Sequence, residues 1–231
     1  MRSSYALLAC MALLLAGCET VPTGPTQQES KFVEKDNSEK LHTRVEMGAG
    51  KLNIRGGASK WLQGDFKYNV PDWKPDVHYS STSGTGDLTI QQSNTKNATN
   101  AVNEWDLQLN NSPLTDLTVH FGAGEANLNL GSLALRNIDL EMGAGQLKLD
   151  LRGQPTHSFD VRVRGGAGEA TIYVPSSAGI SAKATGGLGD ISMKGLQKDG
   201  DRWVNDANGK AKVQINLDIE GGVGSIRVIA E

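Results

Sequence analysis

The stretch Val119-His-Phe-Gly122-Ala-Gly124-Glu-Ala-Asn-Leu-Asn-Leu130 decides how this chain folds. Leu117, Val119 and Phe121 alternate with Thr118 and His120. Beyond the glycines, Ala126, Leu128 and Leu130 alternate with Asn127 and Asn129. Successive side chains of a strand point to opposite faces, so each run has one apolar and one polar face. Between the runs, glycine permits conformations closed to other residues and close approach of neighbouring backbones. The reading is two half-buried strands meeting at a sharp corner.

The pattern recurs in both directions. Gly-x-Gly flanked by alternating residues occurs at 48–50, 84–86, 122–124, 143–145, 166–168, 187–189 and 222–224. From Gly124 to Gly189 the second glycines are 21, 23 and 21 residues apart; the outer intervals are 36, 38 and 35. Such a period marks a repeat architecture in which stacked units bury a continuous core. The fold expected is all-β, a β-solenoid built as a single-stranded parallel β-helix-like stack, with a β-sandwich as the alternative. Ala49, Ala123, Ala144 and Ala167 are expected inside the corner. The long intervals read as coils with inserted loops, such as Thr95–Ala101 and Lys198–Arg202, rich in turn formers. An uncapped last coil at Ile226–Ile229 would leave an open strand edge.

Outside the repeat, the chain begins with Arg2, the only charge before residue 18, an apolar run from Tyr5 to Leu15, and Leu15-Ala-Gly-Cys18. This is the layout of a secretory signal. Its apolar run is shorter than the roughly 20 residues that span a bilayer as a helix. Residues 1–17 are therefore read as a signal peptide and 18–40 as a flexible tether, the latter rich in Pro, Gly and charge without apolar periodicity. Residues 41–92 form an N-terminal module and 93–231 the solenoid continuous with it. Of two cysteines, Cys10 leaves with the signal, so the folded part has no disulfide and no thiolate ligand. Loss of Arg2 takes the net charge from −3 to −4, with 22 basic against 26 acidic residues. No basic block attracts nucleic acid.

Two resemblances add to this. Leu15-Ala-Gly-Cys18 resembles the lipobox of bacterial lipoproteins, which implies cleavage before Cys18 and lipid on its sulfur. Several acyl chains give stable anchoring where one binds only marginally. The mature protein would then sit on the extracytoplasmic side of a membrane; Glu19 in place of aspartate implies the outer membrane in a Gram-negative host. Glu46-Met-Gly-Ala-Gly-Lys-Leu-Asn-Ile-Arg-Gly56, Gly64-Asp-Phe-Lys-Tyr-Asn-Val-Pro-Asp-Trp-Lys-Pro75 and Gly84-Thr-Gly-Asp-Leu-Thr-Ile90 resemble the toast-rack domain of bacterial envelope proteins. The later Gly-Ala-Gly units are similar to the repeat that follows it. The resemblance implies a solenoid in the cell envelope related to adhesin-like and stress-response domains, and no reaction.

The residues carry little chemistry. His42, His78, His120 and His157 lack metal-ligand spacing, and no Gly-x-Ser-x-Gly elbow occurs. No cofactor, metal or catalytic residue is expected. Lys51, Asp87, Glu125, Gln146, Glu169, Asp190 and Ser225 follow the glycine pairs and should stack as a column. That would set Glu169 beside Asp190 as a site for a hard cation. Trp73, in the proline-bounded loop 70–75, would either stack on a sugar or cover the end of the solenoid. These readings give a non-catalytic interaction or scaffold module anchored through Cys18, with an envelope protein, a glycan or a second copy as partner. The alternative is an envelope sensor or adhesin-like module binding a glycan, cation or stress signal.

Overall fold

Alternation on both sides of each Gly-x-Gly gives long strands that bend once. The computed structural model describes residues 21–94 and 98–231, so the signal segment and Cys18 lie outside the described residues. In chain order the strands are β1 Gln27–Val33, β2 Lys40–Gly56, β3 Leu62–Tyr68, β4 Pro75–Thr82, β5 Thr85–Gln92, β6 Asn103–Leu109, β7 Leu114–Asn129, β8 Leu135–Asp150, β9 Phe159–Val174, β10 Gly179–Leu188, β11 Ile191–Lys194, β12 Gln197–Asp199, β13 Arg202–Val204 and β14 Gln214–Ala230. A 3-10 turn at Pro71–Trp73 stands between β3 and β4.

Strands β2, β7, β8, β9 and β14 each run unbroken through a Gly-x-Gly, with a first arm before the corner and a second arm after it. They stack in parallel with the glycines aligned, Gly50 on Gly124, Gly145, Gly168 and Gly224. The second glycine of each corner has φ between 121° and 140°. A Cβ built on Gly145 would lie 2.0 Å from the Gly124 carbonyl oxygen. Both the conformation and the spacing of the corner therefore require glycine.

In-register stacking turns each buried position into an apolar column. Val45, Val119, Leu140, Val163 and Ile219 form one on the first arm, and Ile54, Leu128, Leu149, Ile172 and Val228 one on the second. All ten are at most 2 % exposed. Each such side chain contributes roughly 1.5–3 kcal/mol of burial. The two arms face a shared interior, and the expected β-solenoid is the fold.

The order of coils in space is not their order in the chain. β5 and β6 together make the coil before β2, β5 pairing with its first arm and β6 with its second. At the other end β14 lies between β9 and β10, and β11 completes the last coil on its far side. Antiparallel strands cover the ends: β4 on β5, β3 and then β1 on β6, and β13 with β12 on β10. Buried Trp61, Phe66, Tyr68, Trp73 and Trp105 fill the N-terminal end, Phe66 meeting Trp105 edge to face at 5.4 Å.

Four expectations change. Residues 27–33, read as tether, form β1, because Gln27–Val33 finds the open side of β3. Gly84-Thr-Gly86 is the hairpin turn and start of β5, not a corner; Asn103 closes that coil instead, its carbonyl lying 2.0 Å from a Cβ built on Gly50. The corner alanines point outward, and Ala144 and Ala167 are exposed, since the residue before each Gly-x-Gly takes the inner position. Ile226–Ile229 is covered on both sides, by β9 and β11.

Candidate functional site

The outer face of the first arm carries a dense set of ionisable groups. One column reads Glu46, His120, Glu141, Arg164 and Glu220 on adjacent coils. His120 Nδ1 is 3.9 Å from Glu46 and Nε2 is 3.5 Å from Glu141. Arg164 donates to Glu141 and lies 3.2 Å from Asp139. His42 is bracketed in the same way, 3.2 Å from Asp87 and 3.2 Å from Asp116. Hydrogen bonding from Arg164 holds the Glu141 carboxyl below its ordinary value. At Asp116 burial works against ionisation, but hydrogen bonds from Arg136 and Asn137 outweigh it and the pKa is lowered. An open groove of about 870 Å³ runs past Glu46, His120, Glu141 and Arg164 along the corner backbones, towards Trp73 and Gln92.

Chemically this face is a set of cross-coil ion pairs. Both ring nitrogens of His42 and of His120 face carboxylates, so each imidazole bridges neighbouring coils and does not aim a free nitrogen into the groove. Exposed pairs of this kind contribute little individually. Among the described residues no group of three or more His, Cys, Asp or Glu is placed to hold a metal ion.

The residues singled out from sequence fall apart in space. Cys18 lies outside the described residues. Trp73 is 5 % exposed and packs into the end cover, so it offers no ring face to a sugar. The polar column is real for Lys51, Glu125, Gln146, Glu169 and Ser225, with Lys51 3.6 Å from Glu125. Asp87 stands elsewhere, opposite His42. Glu169 and Asp190 are not neighbours: β14 lies between their strands, and Arg227 of β14 is 3.8 Å from Glu169. A cation bridging the two carboxylates is excluded by that strand.

A different feature emerges at the C-terminal end of the corner. The inner position just before Gly-x-Gly is filled by Met47, Phe121 and Met142 in three coils, and is Gly165, Gly221 and Gly186 in the next three. The side chains that fill the corner stop at Met142. Beyond it runs an apolar cleft of about 50 Å³, lined by Met142, Leu147, Val163, Ile219 and Ile226 and opening at Ile191. A Cβ on Gly165 would meet nothing nearer than 3.9 Å, so glycine is not there to avoid a clash. Around the opening Leu188 is 73 % exposed, Val223 56 % and Ile191 42 %. Leu188 and Val223 are paired residues that occupy the outward position held by alanine in the other corners. The signal for this patch lay in the sequence, as Gly-Gly-x-Gly replacing Met-Gly-Ala-Gly and as Leu and Val replacing the corner alanine.

Comparison with known proteins agrees with this architecture. The model of the N-terminal domain of toast-rack (DUF2154) matches residues 22–173. A crystal structure from Clostridium sporogenes, described as a candidate cell adhesion protein, is 34 % identical and superposes with a TM-score of 0.87, covering 90 % of this chain and 100 % of that one. A candidate adhesin from Bacteroides fragilis is 13 % identical with a TM-score of 0.29, over 91 % of this chain and 100 % of that one. No curated protein matches the chain. With the family model spanning more than half of its residues and the bent-strand stack shared with the clostridial structure, this chain belongs to the toast-rack family.

Proposed function

We propose that this protein is a lipoprotein of the bacterial cell envelope that works as a non-catalytic interaction module. Lipid on Cys18 would hold it on the extracytoplasmic side of a membrane, and residues 19–26 would remain as the tether before β1. The observation that carries the reading is the contrast between the two faces. Glu46, His120, Glu141, Asp139 and Arg164 of the first arm are engaged with one another across coils, whereas Leu188, Val223 and Ile191 stand exposed around an apolar cleft. Clustered exposed apolar side chains on an otherwise polar surface mark interaction sites. The similarity to a candidate cell adhesion protein supports the same reading.

The test is affinity capture from intact envelopes with the native protein, a Cys18→Ser variant and a Leu188→Asp/Val223→Asp variant. The module reading expects specific envelope components, identified by mass spectrometry, that the corner variant loses although it melts like the native protein. It expects Cys18→Ser to leave the membrane fraction. Identical captures from the native and corner variants would refute the corner as the binding surface, and membrane retention of Cys18→Ser would refute lipid anchoring there.

A further inference from the structure

We propose that this protein pairs with a second copy of itself through β11, edge to edge and antiparallel, about a two-fold axis at Ser192. Among the described residues β11 pairs with β14 alone, from Ile191 on Ile226 to Lys194 on Ile229. The Asp190 carbonyl accepts from the Ile226 amide at 2.9 Å and so points to β14. Backbone groups alternate in direction along a strand, so the N–H and C=O of Ile191 and Met193 point the other way. Among the described residues no strand pairs with that side. An unpaired strand edge is a template for another chain unless it is short, charged or interrupted. Of the other edges, β12 has three residues, two of them charged, β4 starts with Pro75-Asp76, and β1 carries Glu29 and Lys31; the far side of β10 beyond Ala182 is open as well, but it carries Lys183 and is interrupted by Gly186 and Gly187. β11 presents Ile191 and Met193.

Charge complementarity selects a second copy as the occupant. In an antiparallel ladder, residues that exchange both backbone hydrogen bonds lie directly opposite. Pairing Ile191 with Met193 of the second copy, and Met193 with its Ile191, uses all the outward backbone groups in four hydrogen bonds. That register places Asp190 opposite Lys194 of the second copy, twice. Both side chains are exposed, and neither makes an ion pair among the described residues. Ile191 and Met193 share a face with Ile226 and Val228, so the ladder would continue the apolar interior into the second molecule and cover the 42 % of Ile191 left exposed. The interface is isologous, as a two-fold dimer requires. A register shifted by one residue would set Asp190 against Met193 or Gly195, and the ion pairs would be lost.

The axis passes between two copies of Ser192 in a non-hydrogen-bonded pair, where Cα atoms approach to about 4.5 Å. Ser192→Cys in the native, exported chain should therefore give a disulfide-linked homodimer in cells, read on non-reducing gels, and Ser112→Cys before β7 should not. In the Ser192→Cys background, Asp190→Lys or Lys194→Asp alone should lower the dimer yield roughly tenfold, because like charges then lie directly opposite. The double exchange should restore it. Met193→Pro, which removes an outward N–H without touching the bonds to β14, should abolish it. Unaltered melting of each variant shows that the fold is kept. No homodimer from Ser192→Cys, a yield indifferent to the charge reversals, or a cross-link to a different protein would each overturn the proposal. Because the readout involves no other envelope component, its failure would leave the interaction-module reading standing.

Discussion

At the scale of single residues, glycines that look alike in sequence do opposite work. Gly145 has a φ of 121°, and its missing Cβ makes room for the Gly124 carbonyl of the coil below. Gly145→Ala adds left-handed strain to a backbone collision, and a loss of at least about 3 kcal/mol is expected by chemical denaturation. Gly165, three residues before the equivalent corner glycine, has no positive φ and open space where its Cβ would be. Gly165→Ala should be neutral or stabilise the fold by about 0.5 kcal/mol, since alanine loses less backbone freedom on folding. Periodicity identified both residues as part of the corner. Which of the two is sterically required depends on the coil stacked against it, and that coil is distant in sequence.

At the scale of elements, β14 carries the C-terminal half. It pairs with β9 from Ile215 to Ala230 and with β10 and β11 on its other side. Its inward Ile215, Leu217 and Val228 are fully buried. A chain ending at Val213 would leave β10 and β11 without their parallel partner. Native-state hydrogen exchange should then show β10 unprotected while β2, β7 and β8 keep their protection. In the intact protein β10 should gain protection only after β14 docks, since among the described residues β10 has no other parallel neighbour. The strands themselves were legible from alternation, as was the corner in β2, β7, β8, β9 and β14. The strand β1 was not, because Gln27–Val33 has a weak pattern and is stabilised by the edge of β3 rather than by a face of its own.

For the whole molecule, the cross-coil ion pairs set how stability follows pH. Hydrogen bonds from Arg164 depress the Glu141 carboxyl and those from Arg152 depress Asp150. At Asp116 burial opposes the shift, and Arg136 and Asn137 overcome it. Asp36, which joins Ser38, Ser81, Tyr79 and Trp61 in the N-terminal cover, is depressed strongly by the hydrogen bonds from Ser38 and Ser81. A carboxylate with a lowered folded-state pKa favours the native state above its unfolded value, and the contribution is lost as pH falls through the folded one. The melting temperature should therefore be insensitive to these groups from neutral pH down to about 5. It should fall once pH drops below the ordinary glutamate and aspartate values of 4.5 and 3.8. Salt should flatten the fall by screening exposed pairs.

The sequence by itself determined the coil: two alternating runs, a glycine corner, an apolar inner face and the length of a repeat. Those follow from the pleat of a strand and from the absence of a glycine side chain, which are local properties. It also carried the family, through Tyr68-Asn-Val-Pro-Asp-Trp-Lys-Pro75 and the Gly-Ala-Gly units around it. Only the tertiary structure decided which coil stacks on which. Equivalent coils present nearly the same aligned columns, so pairing in register does not require neighbours in the chain to be neighbours in space. That freedom puts β14 between β9 and β10, separates Glu169 from Asp190, seats Trp73 in the end cover, and leaves β11 as an open edge.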